Sequence, residues 1–224
     1  MGSILTIATS KGGGGKSAAA MCLAANLSAH GYRVAVVDAD RNQTFATWHS
    51  AYAGPRITCL SEIRHIEVVD VAQAAAEGHD VVLIDTAGFE NLTAATAIAT
   101  SDHVIVPCMP DRGSVIEAIK TVRQTAGMAK GSRRDIPFSV LLTRWNPKGL
   151  VERAALADLA AAGLSVLSRH LPDLSVFGKI SYSGDVPCSG RIGLQADAII
   201  AELAGKGAIP TYPDSRIDDK DAAA

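Results

Sequence analysis

The stretch Thr9-Ser10-Lys11-Gly12-Gly13-Gly14-Gly15-Lys16-Ser17-Ala18-Ala19 decides how this chain is to be read. An apolar run, "SILTIAT" (3–9), leads into it, and "KSAAAMCLAANLSAHG" (16–31) follows. The first run predicts a buried strand. The second predicts a helix, because Ala and Leu are strong helix formers, with Gly31 at its C-cap. Strand, glycine loop and helix in that order make a P-loop. Glycines let backbone N–H groups turn inward around phosphate oxygens, and the new helix adds its positive end. Gly12, Gly13, Gly14, Gly15, Lys16, Ser17 and Ala18 are therefore the expected nucleotide cradle. Lys16 would reach the β- and γ-phosphates, and the Ser17 hydroxyl would ligate Mg²⁺. In the pattern G-x-x-x-x-G-K-[ST] the first glycine falls on Ser10, and Lys11 has no evident task inside its own loop.

The remaining chain is consistent with this beginning. "YRVAVVDAD", "HDVVLIDTAG", "DHVIVPCMP" and "PFSVLLTRWNP" read as further buried strands, the fourth of the five stopped by Pro107 and Pro110. Helices are predicted over about 61–77, 92–100, 114–128 and 150–162. Apolar strands alternating with helices argue for one α/β domain with a mostly parallel central sheet covered on both faces. Of 224 residues, 48% are hydrophobic and only 4% aromatic, which suits helices on a sheet rather than a sandwich. The domain is expected over 1–205 and a polar, acidic, flexible tail over 206–224. A net charge of −2 excludes a globally basic nucleic-acid binder but leaves room for a local basic patch. Cys22, Cys59, Cys108 and Cys188 form no C-x-x-C pair, which points to reduced structural thiols. With no signal-peptide pattern and no apolar run of about 18 residues, the expected location is the cytoplasm. His49, His65, His79, His103 and His170 show no metal-binding spacing.

Three aspartates stand at predicted strand ends. Asp38 and Asp40 close "VVDAD", and Asp85 lies in "VVLIDTAG", which reads as a Walker B strand. Ligands of open parallel sheets bind at the carboxyl ends of strands. Asp85 would hold Mg²⁺ through water, since that ion keeps part of its hydration shell.

"KGGGGKS" resembles the deviant Walker A pattern K-G-G-x-G-K-[ST] of the ParA/MinD ATPases, in which a missing first glycine is common. The resemblance runs from about Ser3 to Leu203 and is nearest to small ParA proteins, among them plasmid partition ATPases and the VirC-type ATPases of conjugative DNA transfer. It implies that Lys11 reaches across an ATP-dependent homodimer to the partner's phosphates. It also implies that Asp40 positions the attacking water while Asp38 supports the Mg²⁺ shell. Thr143 and Arg144 in "LLTRWN", and the segment after Pro110, match positions near the adenine. ATP is expected over GTP, because no N-K-x-D is present. The D-x-D-P-Q continuation of the family is replaced here by Arg41 and Asn42 after Asp40.

The same resemblance implies slow ATP hydrolysis stimulated by a ParB-like or other adaptor, and nonspecific DNA held by the closed dimer, so that the ATP form is nucleoid-associated. Lys179 and Arg191 match the C-terminal region where relatives carry DNA-binding cations. A second basic run, Lys120 to Lys148, is read first as a solvated helix face. The acidic ending "DSRIDDKDAAA" argues against a membrane-binding helix. Two other readings stay open: a nucleotide-gated recruitment protein with incidental hydrolysis, and a metabolic P-loop enzyme that phosphorylates a small molecule.

Overall fold

In the computed structural model of the chain, which describes residues 1–88, 92–172, 183–185, 188 and 190–211, the apolar runs become strands of one sheet. Strands β1 (Ser3–Ile7), β2 (Val34–Ala39), β3 (Ile57–Ser61), β4 (Val81–Thr86), β5 (His103–Cys108), β6 (Phe138–Trp145) and β7 (Val166–Pro172) alternate with the helices among the described residues. The helices are α1 (Lys16–Ala29), α2 (Thr44–His49), α3 (Glu67–Gly78), α4 (Leu92–Thr100), α5 (Arg112–Ser132), α6 (Leu150–Ala161) and α7 (Gly190–Gly205). The seven strands lie in the order β3-β2-β4-β1-β5-β6-β7, and every pairing is parallel. A parallel sheet needs both faces covered, which is why β2, β4 and β5 read as continuous apolar runs and are buried throughout.

Side-chain alternation divides the core between the two faces. Leu5, Ile7, Val34, Val36 and Leu83 pack with α1, α2 and α7. On the other face, Ile4, Ala35, Val37 and Ile84 meet α3 and α4, while Val104, Val106, Val140 and Leu142 meet α5 and α6. The helices α5 and α7 therefore lie on opposite sides of the sheet. The end of α1 is closed as expected. Gly31 adopts φ +84°, its N–H bonds to the Ser28 carbonyl, and the Tyr32 N–H bonds back to Leu27.

Several expectations are corrected. Proline does not stop β5 at Pro107, which pairs with Leu141 inside the strand. The Val104 N–H donates to the Pro137 carbonyl just before β6, whereas the Ile105 carbonyl faces the β1 side and accepts from Ala8, just after that strand. Odd-numbered residues of β5 thus face β1, whose strand ends at Ile7 opposite Ile105, so Pro107 lacks a donor only where none is needed. The helix expected from residue 61 begins at Glu67, because Ile57–Ser61 form the edge strand β3. Its half-exposed side chains blur the apolar signal. Helix α2, strand β7 and helix α7 were not anticipated. Six residues of α2 carry too short a pattern, and it is held by the buried Phe45 and Trp48, whose rings meet edge to face at 5.1 Å. The packed chain also continues past residue 205. Ala208 and Ile209 are buried in the core, and the Tyr32 hydroxyl donates to the Pro210 carbonyl at 3.0 Å. The tail over 212–224 lies outside the described residues.

Candidate nucleotide site

The carboxyl ends of β1, β2 and β4 converge on a cavity of about 380 Å³. It is lined by Gly12 through Ala18, by Asp40, Asn42 and Thr44 after β2, and by Ala87 and Gly88 after β4. Two backbone positions shape the loop. Gly13 and Gly15 adopt φ of +73° and +86°, a region costly for residues with a Cβ. A Cβ on Gly15 would also press against Thr143 Oγ1 at 3.4 Å.

Lys16 opens α1 with only 7% of its surface exposed, and its Nζ donates to the Lys11 carbonyl at 3.2 Å. Burial pulls its pKa below the ordinary lysine range, and the charges of Asp85 and then Asp40 pull it back. Below it lies Asp85, fully buried, with neither carboxylate oxygen in a hydrogen bond of ordinary geometry. Burial pushes its pKa up to about 7; the neighbouring Ser17 hydroxyl and, more weakly, the Lys16 charge offset part of that. A buried carboxylate without a partner is costly. This one sits where oxygen donors, a Ser17 hydroxyl and a phosphate cavity meet, and that donor set fits a hydrated Mg²⁺.

Asp38 is equally buried, but both of its oxygens are engaged. Oδ1 accepts the Asp40 N–H at 3.1 Å, and Oδ2 accepts the Ala46 N–H at 2.9 Å. It thereby ties the loop carrying Asp40 to the first turn of α2, a positioning role that spacing did not reveal. Burial raises its pKa, opposed by those N–H donors. Asp40 lines the cavity, with Oδ1 accepting the Asn42 N–H at 2.9 Å.

Lys11 turns away from its own cavity. Its Nζ contacts Asp111 Oδ1 at 2.8 Å and Ser114 Oγ at 3.1 Å, at the start of α5. Asp111 is also the N-cap of that helix, accepting the Ser114 N–H at 3.0 Å. The Lys11 hydrogen bond, then that of Ser114, hold Asp111 down at about 2. Ser10 explains its own departure from the glycine pattern: its hydroxyl donates to Glu117 and its N–H to Thr121 Oγ1, both on α5. The first half of the loop is thus anchored to α5, the second half to α1.

Of the other expected site residues, Thr143 is buried beneath Gly15 with an unpartnered hydroxyl, and Arg144 is exposed with φ +51°. Neither lines the phosphate cavity. Arg191 is exposed at the start of α7, and its charge, like that of Arg169, lowers the His170 pKa after burial has done most of the lowering. Lys179 lies outside the described residues. Sequence reasoning missed Asn42, Thr44, Ala87 and Gly88 as cavity residues. The signal was present, since Ala87 and Gly88 directly follow β4, and Asn42 and Thr44 lie within five residues of the end of β2, both strands that already carried an aspartate. Gly88 has a steric reason as well: a Cβ there would lie 3.2 Å from the Ser10 carbonyl.

A family model described as VirC1 protein matches residues 2–185. The chain belongs to the VirC1 family. Among VirC1 relatives, the virC1 protein of Rhizobium rhizogenes is 30% identical over 189 residues, 81% of each chain. A ParA protein of Rhizobium radiobacter is 28% identical, covering 81% of this chain and 83% of its own. The fold recurs in an ATP complex of a Cyanothece McdA variant, at a TM-score of 0.77 and 14% identity, covering 92% of this chain and 96% of that one. It recurs too in MinD of Pyrococcus horikoshii with Mg-ADP, at 0.71 and 17%, covering 92% and 98%. The VirC1-family chain is thus a ParA-like P-loop ATPase by relationship, with a seven-stranded, all-parallel sheet. Among the described residues, no helix is long and apolar enough to cross a membrane.

Proposed function

We propose that this chain is an ATP-dependent dimerising switch that holds nonspecific DNA while closed and reopens on hydrolysis, so partitioning or positioning a DNA cargo. The observation that carries this reading is the contrast within one loop. Lys16 lines the phosphate cavity with the buried Asp85 charge behind it, whereas the Lys11 ammonium is directed to Asp111 and Ser114 at the start of α5. The cavity is thus equipped to bind a nucleotide within one subunit, and the second cation, held by a half-exposed ion pair to Asp111, can be exchanged to serve another.

Each residue has a definable task. The N–H groups of Gly12 to Ser17 bind phosphate oxygens, and Lys16 binds the β- and γ-phosphates. Ser17 and Asp85 would hold Mg²⁺, with Asp38 supporting its shell, and the ion would neutralise part of the triphosphate charge. Asp40, at the cavity wall, accepts a hydrogen bond from the attacking water and orients it toward the γ-phosphorus. Lys11 from the partner subunit stabilises charge on the transferring phosphoryl group. Thr143, against Gly15, borders the loop on the side proposed for the base, and the exposed Arg144 that follows it is the second residue proposed there. Turnover is slow until an adaptor supplies a further cation. Arg191 and Lys179 are candidate DNA contacts.

The test is sizing with and without nucleotide. Lys16→Ala should abolish nucleotide-dependent dimerisation, and an ATP-dependent dimer of that variant would refute the phosphate assignment. Asp40→Ala should trap the dimer with ATP; dissociation as fast as the parent would remove Asp40 from hydrolysis. Relationship to the VirC1 proteins favours one second reading, a nucleotide-gated recruiter in conjugative DNA transfer. ATP-dependent recruitment of a transfer protein, with turnover indifferent to DNA and adaptors, would select it.

A further inference from the structure

Helix α5 carries four cations, Arg112, Lys120, Arg123 and Lys130, against the single acid Glu117. This stands out in a chain whose net charge is −2. The helix also sorts its charges. Glu117 turns inward to the Ser10 hydroxyl, while Val115, Ala118 and Val122 are buried against the sheet. The four cations are exposed, and their spacing of eight, three and seven residues returns each to one side of a 3.6-residue helix. Arg133, just beyond the last turn, is exposed as well. Among the described residues Arg112, Arg123, Lys130 and Arg133 have no ion pair, and Lys120 has only a 3.7 Å contact to Glu117. Arg134 is different, since its guanidinium is tied to the Ala99 and Ser101 carbonyls and lies 3.7 Å from Asp102. On one flank, α4 bears no charged residue that would neutralise the row.

We infer that this outward row of α5 is a docking surface for the phosphate backbone of duplex DNA. The inference rests on the DNA-holding reading above and gives it a location. The row spans about 30 Å, at 1.5 Å of rise per residue, which is several phosphates of a duplex. Along Arg112 to Arg123 the row is an open helix face, and the hollow beside its far end, between Lys130, Arg133 and Phe138, is lined by no Asn or Gln that could read a base edge, so the row fits a regular polyanion regardless of sequence. Among macromolecular polyanions, duplex DNA supplies that regular line of charge. The other candidate cation, Arg191, lies on α7 and hence across the sheet. One rigid duplex cannot run along both helices of one subunit, so the two surfaces are experimentally separable.

The test measures binding of a random-sequence duplex by fluorescence anisotropy, with Mg²⁺ and a nonhydrolysable ATP analogue, across a salt series. The variants are Lys120→Gln/Arg123→Gln/Lys130→Gln together, and Arg191→Gln. Exposed Lys and Arg to Gln changes on a helix leave folding intact, and nucleotide-dependent sizing verifies it. The triple variant should bind at least tenfold more weakly at low salt. Its log–log salt slope should flatten by about 2 to 3, at roughly 0.9 per phosphate contact per subunit. Parental affinity and slope in the triple variant, with loss in Arg191→Gln, would overturn the α5 surface and leave DNA holding intact. No duplex binding by the parent in any nucleotide state would overturn both. Binding of polyglutamate but not duplex by the parent would assign the row to an acidic protein.

Discussion

The two ends of the phosphate loop are built differently. At its C-terminal end, Lys16 is buried, faces Asp85 and Asp40, and closes its own loop through the Lys11 carbonyl. At its N-terminal end, Lys11 has a third of its side chain exposed and rests on Asp111 and Ser114 of α5. One lysine is committed by burial to the subunit that carries it. The other is held by an ion pair at the surface, of a kind that contributes ~1 kcal/mol or less and can be exchanged for a stronger partner. A triphosphate in a closed interface is such a partner. The comparison teaches that, if the proposed switch holds, nucleotide binding and nucleotide-driven assembly would be carried by different ends of a single loop.

The largest expected effect lies at the buried end. Lys16→Ala should weaken ATP binding by more than 100-fold in a direct calorimetric titration, because it removes a cation from an enclosed phosphate site. A loss of less than tenfold would dissolve the distinction between the two ends.

Next comes Asp85. Burial raises it to about 7, so the folded protein retains a proton there that the unfolded chain releases near 3.8. Stability tied to this group is present below pH 4 and lost as pH rises toward 7. Asp85→Asn should therefore stabilise the nucleotide- and Mg²⁺-free protein at pH 8, by on the order of a few kcal/mol, and change it little at pH 4. It should abolish Mg²⁺-dependent tightening of ATP. Thermal melts at the two pH values check the first claim; a variant less stable than the parent at pH 8 would contradict it.

The smallest effect is expected at Asp111. Asp111→Asn keeps a capping side chain on α5 but removes the charge that holds Lys11. ATP-dependent dimerisation should tighten several-fold in equilibrium sedimentation, with ATP affinity of the single subunit unchanged. Weaker dimerisation would show that Asp111 supports the assembled state instead.

Much of this was legible in the residue string. The glycine loop between an apolar run and an alanine-rich helix fixed β1 and α1, and the strand-end aspartates placed the cavity. The elements that stayed hidden have physical reasons. The half-exposed β3 and the six-residue α2 carry too little periodic signal, and Pro107 looked like a stop because the direction of its missing donor depends on which neighbour β1 provides. For α7 the signal was available: Ile192, Ala196, Ile199, Ile200 and Leu203 recur at helical spacing. At the site, spacing could pair Asp38 with Asp40 but could not show that Asp38 is engaged by backbone N–H groups while Asp85 is left without a partner. Nor could it show Lys11 on α5, since 100 residues separate it from Asp111.

The central claim is that Lys11 completes the phosphate site of a second subunit. Light scattering on the parent and on Lys11→Ala, each with Mg²⁺ and either ADP or a nonhydrolysable ATP analogue, addresses it directly. The account predicts that the parent doubles in mass with the analogue alone, and that Lys11→Ala binds the analogue yet remains a monomer. A parent that stays monomeric, or a Lys11→Ala protein that dimerises as tightly as the parent, would contradict it.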